Sequence, residues 1–221
     1  MYEPEIIKKF SRRPIFSLSD INQIINNRVY AKKFLAKMCR DKKILKIKKN
    51  FYTFYKDDFF ISTFLIRPSY ISCVSALSYH RLITQIPNEV FCATTKKTTR
   101  IGKINFFHTN HFFGYREEIY ENFKILIAEP EKAIIDSFFV IPVSIFEEAL
   151  EEIDADKMIE YLKKIKKSHV SKRVGYLMEK HGYNIYEKLK DIINYKYIVL
   201  DPLLRKKGKK NKRWGIIDNI A

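Results

Sequence analysis

The stretch from Phe16 to Tyr55 constrains the fold of this chain more than any other segment, because it carries the start signal and the apolar periodicity of two successive helices. Ser17 stands at an N-cap position, and Asp20 follows three residues later to complete a capping box. Phe16 and Ile21 occupy the two positions of a hydrophobic staple around the same helix start. These signals predict a short helix that begins directly after Ser17.

A second helix is predicted to follow the polar pair Asn26-Asn27 and to run from Arg28 to about Arg40. Its apolar residues recur at helical spacing and form one stripe, made of Ala31, Phe34, Leu35, Met38 and Cys39. The next segment, KILKIKKNFYTFY, is typical of two short strands around a basic tip at residues 48–50. Two helices followed by a cationic hairpin predict a winged helix-turn-helix domain that binds DNA.

The positive charge of the chain is concentrated at its two ends. The net charge is +17, and residues 1–57 hold fifteen basic and five acidic side chains. Residues 129–200 are close to neutral, whereas the last 21 residues hold seven basic and two acidic side chains. This asymmetry favours a polyanionic partner for both ends. A lysine-rich proteome would also give a basic protein without any nucleic-acid role.

The polar break at residues 56–58 is the best candidate for a domain boundary. We expect a winged-helix domain over residues 1–57 and a second domain over residues 58–221, which gives an α+β fold. In the second domain, a helix is predicted over SYISCVSALSYHRLI, and strands are predicted over VFCATTKK, IGKINFFHT and NFKILIA. Pro130 is predicted to open a helix, and the pattern is helical from Ser144 onward.

Three segments of the second domain form a recognisable combination: SYHRL, CATTKK and above all EPEKAIID. With these segments the chain resembles the AbiEi family of antitoxin-type transcriptional regulators, and the resemblance covers nearly the whole chain. The segments correspond to the family's small-residue helix, its strand with Thr and Lys, and its Pro-Glu-Lys-Ala helix. The chain departs from the family at Arg81, where glycine is usual. The C-terminal segments KRVGYLMEKHG and KGKKNKRWGIIDN also look like the family's tail.

The resemblance implies a repressor that binds inverted repeats in its own promoter. It also implies that the protein counteracts a nucleotidyltransferase-like toxin in a phage-defence system, without the need for a stable complex with that toxin. A member of the family can also be a stand-alone regulator. Because operators with two-fold symmetry are bound by two protomers, we expect a dimer or a cooperative pair on DNA.

The candidate DNA-binding residues fall into three groups. In the second helix, Asn27, Arg28, Tyr30 and Lys33 are predicted to reach base edges, because Arg can fork onto guanine and Asn can pair with adenine. The other cations are predicted to contact phosphates; these are Lys32, Lys37 and Arg40 of the helix and Lys46, Lys48 and Lys49 of the hairpin. A second cationic patch, kept flexible by Gly208, comprises Arg205, Lys206, Lys207, Lys209, Lys210, Lys212 and Arg213, and it is predicted either to contact nucleic acid or to be a solvated loop. Trp214 is predicted to pin this tail to the core.

No enzyme, metal site or cofactor is expected from the sequence. The main alternative is a metal-dependent nuclease that uses Glu131, Lys132 and Asp136, but the segment Glu129-Pro130-Glu131-Lys132 opens a helix and lacks the acid-x-lysine spacing of such enzymes. A further alternative is a winged helix that binds protein rather than DNA. Three scattered cysteines predict reduced thiols in a cytoplasmic protein, and no apolar run approaches the roughly 20 residues that span a bilayer, so we expect no membrane partner.

Overall fold

The first six elements pack around one small core in the computed structural model of the protein, which describes residues 2–220. These elements are α1 (Glu3–Phe10), β1 (Phe16–Ser17), α2 (Leu18–Ile25), α3 (Arg28–Arg40), β2 (Leu45–Lys48) and β3 (Phe51–Thr53). The three strands form an antiparallel sheet in the order β1-β3-β2. The predicted start of α2 directly after Ser17 and the predicted bounds of α3 are confirmed.

Local signals explain where α2 begins and ends. The Ser17 hydroxyl accepts a hydrogen bond from the Asp20 backbone N–H at 3.2 Å, and the Asp20 carboxylate accepts one from the Ser17 N–H at 2.7 Å. Both halves of the predicted capping box are therefore formed. Asn26 ends α2 in the left-handed conformation, with φ of 53°, which a short amide side chain tolerates better than most. Asn26 therefore ends α2 and begins the turn that leads to α3.

The core of this part is built from one apolar face of each helix and from aromatic rings of the sheet. Ala31, Leu35 and Met38 of α3 are almost completely buried. The ring of Phe16 lies 5.3 Å from that of Phe10 and 6.0 Å from that of Tyr52, so it joins α1 to the sheet. The buried side chains of residues 6–52 thus form a cluster of their own.

The remaining elements form a larger α+β unit around a second cluster of buried side chains. These elements are α4 (Asp58–Leu65), β4 (Ser69–Ile71), α5 (Cys73–Tyr79), β5 (Val90–Thr94), β6 (Thr99–Ile101), β7 (Ile104–His108), β8 (Tyr115–Tyr120), β9 (Phe123–Ala128), α6 (Pro130–Ser137), α7 (Ala155–Ile165), α8 (Ser168–Lys180), α9 (Tyr186–Leu189), β10 (Ile198–Val199), β11 (Lys209–Asn211) and β12 (Ile216–Asp218). The six-stranded sheet has the order β6-β7-β5-β4-β9-β8. In this sheet β5 runs parallel to β7, β4 runs parallel to β9, and the other neighbours are antiparallel. Short 3-10 helices cover Val143–Ile145, Glu147–Glu152 and Lys190–Ile192.

The predicted helix over SYISCVSALSYHRLI is wrong in its first part. Ser69–Ile71 form the strand β4, which lies inside the sheet between β5 and β9, and α5 begins only at Cys73. Tyr70 and Ile71 are both completely buried. A short apolar run that is covered on both faces shows no alternation, so its sequence does not distinguish a strand from a buried helix.

The turn after α5 forms with Arg81 at the position where glycine is usual in the AbiEi family, which the sequence resembles. Arg81 takes the left-handed conformation with φ of 63°, which glycine adopts at lower cost. The Nε2–H of the preceding His80 donates a hydrogen bond to the carbonyl oxygen of Ala128 at 2.8 Å, which gives this histidine a structural role.

A buried ion pair joins α6 to the sheet. Lys132, which is completely buried, pairs with Asp136 one turn later. The Lys132 ammonium also donates to the Tyr70 hydroxyl at 2.8 Å, and that hydroxyl donates to Asp136 at 2.9 Å. Ser72 donates a third hydrogen bond to the same carboxylate at 2.8 Å. Burial, and then the Asp136 charge, raise the pKa of Tyr70, so the phenol remains a donor.

The C-terminal basic segment is an ordered hairpin, and the predicted flexibility at Gly208 is wrong. Strand β11 pairs antiparallel with β12, which in turn pairs parallel with β10. A Cβ atom at Gly208 would lie 1.8 Å from the Asp218 carbonyl oxygen. The glycine is needed there because two backbone segments approach each other closely.

Trp214 fastens this hairpin to α8, as predicted. Its side chain is completely buried, its indole N–H donates to Glu179, and the ring of Tyr186 meets it edge-on at 5.0 Å. The indole lies directly on Gly175, where an added Cβ would come within 2.2 Å of the ring. Arg173 of α8 also donates to the carbonyl oxygens of Val199 and Leu200. Helix α8 therefore contacts the C-terminal segment at β10 as well as at Trp214.

The two parts of the molecule meet through aromatic rings at residues 55–60. The Tyr55 ring packs edge-on against Phe60 at 4.7 Å, and its hydroxyl donates to the carbonyl oxygen of Ser11 at 3.0 Å. Asp57 caps α4 through its side chain and accepts a hydrogen bond from Tyr120 at 2.7 Å. Within residues 2–220, no helix is long and apolar enough to cross a membrane.

We predict that Gly175→Ala displaces the indole of Trp214, because the new methyl group overlaps the ring. The variant should lose about 1–3 kcal/mol of unfolding free energy. Its tryptophan fluorescence should shift to the red, and this signal reports on one site because Trp214 is the only tryptophan. Urea denaturation and fluorescence measure both effects. The double variant Gly175→Ala/Trp214→Phe should cost less than the sum of its single changes. An unchanged emission maximum and denaturation midpoint in Gly175→Ala would contradict this packing.

Candidate nucleic-acid interface

The face of α3 opposite the core is cationic with two small apolar residues within it. Since successive residues of a helix are about 100° apart, the residues diametrically opposite the buried stripe are Val29, Lys33, Ala36, Lys37 and Arg40. All five are exposed. Val29 is 66% exposed, which is unusual for a valine in a helix that packs against a core.

Three further predicted residues border this face. Arg28 and Lys32 are exposed along one edge of it, and Tyr30 lies on the other edge. Tyr30 is about half exposed, and its ring meets that of Tyr2 at 6.1 Å in an edge-on arrangement. The structure therefore brings the predicted residues of α3 onto one continuous surface.

The cations of α3 have no acidic partner in the described part of the chain. The ion pairs nearby are Lys43 with Glu3 and Arg13 with Asp20, and neither includes a residue of α3. Because an exposed cation that is not paired keeps its full charge available, the surface can neutralise phosphates without first breaking internal ion pairs.

Asn27 has a structural role in addition to its predicted one. Its side-chain oxygen accepts a hydrogen bond from the Tyr30 backbone N–H at 2.9 Å and so caps α3. A bidentate contact with adenine needs both the oxygen and the nitrogen of the amide. The oxygen is engaged in the cap, which leaves the amide nitrogen as the group that can donate to DNA.

The hairpin of β2 and β3 has a two-residue tip, Lys49-Asn50, and lies against the start of α2. Asn50 has φ of 66°, and its carbonyl oxygen accepts a hydrogen bond from the Leu18 N–H at 2.9 Å. Lys49 is exposed, and so is Lys46. This contact holds the hairpin close to the helices.

Lys48 is less available than its two neighbours in the hairpin. Its ammonium lies 4.7 Å from the centre of the Phe51 ring and 3.4 Å from the carbonyl oxygen of Leu65. It therefore connects the hairpin to α4. Of the three predicted hairpin cations, Lys46 and Lys49 are the ones that are free to contact a phosphate.

The C-terminal cations form a second surface on the hairpin of β11 and β12. Lys210 lies 5.6 Å from the centre of the Tyr197 ring. Arg213 pairs with Glu179 and covers the Tyr186 ring at 4.5 Å, so it has a structural role. The remaining members are exposed and unpaired among the residues described: Arg205, Lys206, Lys207, Lys209 and Lys212.

The residues of the nuclease alternative have structural partners. Glu131 is 3% exposed, and its Oε1 accepts a hydrogen bond from the Asp154 N–H at 3.0 Å. Lys132 and Asp136 are paired with each other. Across residues 2–220, no group of three or more His, Cys, Asp or Glu side chains is placed to hold a metal ion.

Sequence reasoning missed Val29 and Ala36 as members of the α3 surface. Apolar side chains are usually assigned to the core, and only the angular position of each residue relative to the buried stripe reveals that these two face outward. Both residue types can contact the methyl group of thymine in the major groove.

Comparison with models of protein families and with curated proteins gave no match. Among solved structures, the chain is similar to the crystal structure of the RV2827C protein from Mycobacterium tuberculosis, with a TM-score of 0.70 and 8% sequence identity. The similarity covers 99% of this chain and 91% of that one. At this identity the likeness extends to the fold only.

Proposed function

We propose that the protein is a sequence-specific DNA-binding regulator of the AbiEi antitoxin type, acting in the cytoplasm. In this proposal residues 1–57 are a winged helix-turn-helix domain that binds promoter DNA, and residues 58–221 are the regulatory and antitoxin domain. The observation that carries the proposal is the exposed, unpaired cationic face of α3, with the basic hairpin of β2 and β3 beside it.

The order of the N-terminal elements supports this assignment. A winged helix has three helices and three short strands in the sequence α-β-α-α-β-β, and its last two strands form the wing. The chain has the same sequence of elements from α1 to β3, with β3 in the middle of the sheet. In a helix-turn-helix, the second helix of the motif enters the major groove. Here that helix is α3.

The residues of the α3 surface divide into those suited to contact bases and those suited to contact phosphates. Arg28 and Lys33 can donate to guanine, while Val29 can contact a thymine methyl group. Lys37 and Arg40, together with Lys46 and Lys49 of the hairpin, are suited to phosphates, which fix the position of the protein without reading the sequence. Ala36 adds little bulk between them, so the helix backbone can approach the groove closely.

The regulator is proposed to bind as a pair. An inverted repeat presents the same sequence twice in opposite orientations, so two protomers related by a two-fold axis can make identical contacts. The exposed C-terminal cations, Arg205 to Lys210, would then strengthen binding to the flanking phosphates.

The decisive experiment measures binding of the full chain to a duplex from its own upstream region. Lys33→Glu should weaken binding at least about tenfold and should lower the slope of log K against log salt by about one or more, because a phosphate-facing or base-facing cation is lost. Fluorescence anisotropy at several salt concentrations measures both quantities.

The matched control is Lys163→Glu, which makes the same charge change on the exposed side of α7. It should bind nearly as the unchanged protein does. Equal losses in both variants would mean that only net charge matters, and the α3 assignment would be lost.

Val29→Ser should weaken binding to a thymine-containing site while leaving binding to random duplex unchanged.

The antitoxin part of the proposal rests on the resemblance of the EPEKAIID region. If a nucleotidyltransferase-like gene lies next to this one, its expression alone should arrest growth, and co-expression of this chain should restore growth. Lys33→Glu should still restore growth when both genes are expressed from a foreign promoter, since DNA binding is then not needed. A toxin that arrests growth equally with and without the chain would restrict the function to regulation.

A further inference from the structure

A cavity of about 590 Å³ lies in the larger unit, in a part of the molecule that the proposed DNA surface does not use. It is bounded by the end of β7, by α6 and by the connection between α7 and α8. Polar side chains on its wall include His108, His111, Lys132, Asp136, Lys167 and His169. Lys132 and Asp136 belong to the buried network of α6, whereas His111, Lys167 and His169 have no role described so far.

The electrostatic environment of the cavity is positive. Lys132 and Asp136 neutralise each other in their ion pair, which leaves Lys167 as an exposed cation without a carboxylate partner among residues 2–220. Burial lowers the pKa of His111, and the charges of Lys132 and Lys167 lower it further despite the opposing effect of Asp136. An anion in the cavity would therefore be attracted by positive charge and would meet little negative charge.

His169, on α8, lies in the same positive environment of the cavity. Its pKa is lowered by burial first, and then by Arg173 and Lys167. Two histidines on different segments are thus disfavoured as cations by neighbouring positive groups. A bound anion would relieve this repulsion at both positions.

Two of the three histidines have ring nitrogens free for a ligand. Both ring nitrogens of His108 are engaged, one with the Lys96 carbonyl oxygen at 3.1 Å and the other with Asn110 at 3.0 Å. The ring nitrogens of His111 and His169 have no hydrogen-bond partner within the described chain. A neutral imidazole can donate one N–H, so these two rings and the Lys167 ammonium can supply three donors.

An exposed aromatic ring gives the cavity an apolar wall. Phe139 is 50% exposed although it follows directly after the buried end of α6. Arg173 lies 5.1 Å from the centre of its ring, and His169 meets it edge-on at 5.6 Å. Phe107, Ile165 and Val170 continue this wall. A planar, partly apolar group would cover this surface favourably.

We propose that this cavity binds a small phosphorylated ligand of nucleotide size, with its phosphate between Lys167, His111 and His169 and its ring against Phe139. A phosphate can accept hydrogen bonds from several directions at once, which matches three donors on separate segments. The volume exceeds that needed by a free phosphate ion and falls within the usual range of ligand pockets, about 300–1,000 Å³.

The test is calorimetric titration of the full chain, without DNA, with AMP, adenosine and inorganic phosphate as probes. AMP should bind more tightly than either of the other two. Lys167→Gln should weaken AMP binding about tenfold, and His111→Gln should weaken it at least about threefold. Lys163→Gln, an exposed lysine of α7 outside the cavity wall, is the matched control and should bind AMP as the unchanged protein does.

Phe139→Ala separates the two halves of the site. It should weaken AMP binding about fivefold while leaving the affinity for inorganic phosphate unchanged, because only the ring contact is removed. The proposal is overturned if AMP produces no heat at about 10 mM, if Lys163→Gln weakens binding as much as Lys167→Gln, or if AMP binds no more tightly than phosphate. Because no DNA is present, these results do not depend on the proposed regulator function.

Discussion

Burial of the apolar stripe of α3 is the constraint on which the N-terminal surface depends. Ala31, Leu35 and Met38 are removed from water against α1, α2 and the small sheet, and this fixes the rotation of the helix about its axis. At about 25 cal/mol per Å² of apolar surface, such burial outweighs the few tenths of a kcal/mol of any single exposed charge contact. The orientation of Lys33 and Lys37 toward solvent is therefore a consequence of core packing. The cations of α3 form no ion pair within residues 2–220, which suits the DNA partner that we propose.

A second constraint organises the larger unit. The segment that resembles an antitoxin signature, EPEKAIID, is used to build a buried polar network in which Lys132, Asp136, Tyr70 and Ser72 satisfy one another. Removal of one partner from such a network leaves an uncompensated charge in the core, which typically costs about 3–5 kcal/mol. Lys132 and Asp136, two of the three residues that suggest a nuclease in the sequence, therefore hold α6 against β4. The same network forms one wall of the cavity that we assign to a phosphorylated ligand.

Local signals made the N-terminal helices predictable, and long-range packing made the rest harder to predict. The capping box at Ser17 and the stripe from Ala31 to Cys39 act within one or two turns, so the sequence is sufficient to place them. Strand β4 depends on neighbours that are distant in the sequence. The need for glycine at position 208 is explained only by the close approach of the Asp218 backbone. The cations of the candidate surface were predicted, whereas Val29 was missed although its angular position opposite the predicted stripe already places it on the outward face of α3. The cap role of Asn27 competes with its proposed contact to adenine.

Lysine acetylation of the full chain, with and without a saturating duplex from its upstream region and followed by mass spectrometry, tests the DNA-binding surface most directly. The account predicts that the duplex lowers the reactivity of Lys33, Lys37 and Lys49 at least about fivefold, because these ammonium groups are covered by the groove and its phosphates. Lys163 and Lys188, which lie on α7 and α9, should react equally in both samples. Unchanged reactivity of Lys33 and Lys37 in a saturated complex would contradict the assignment of α3 as the helix that binds DNA.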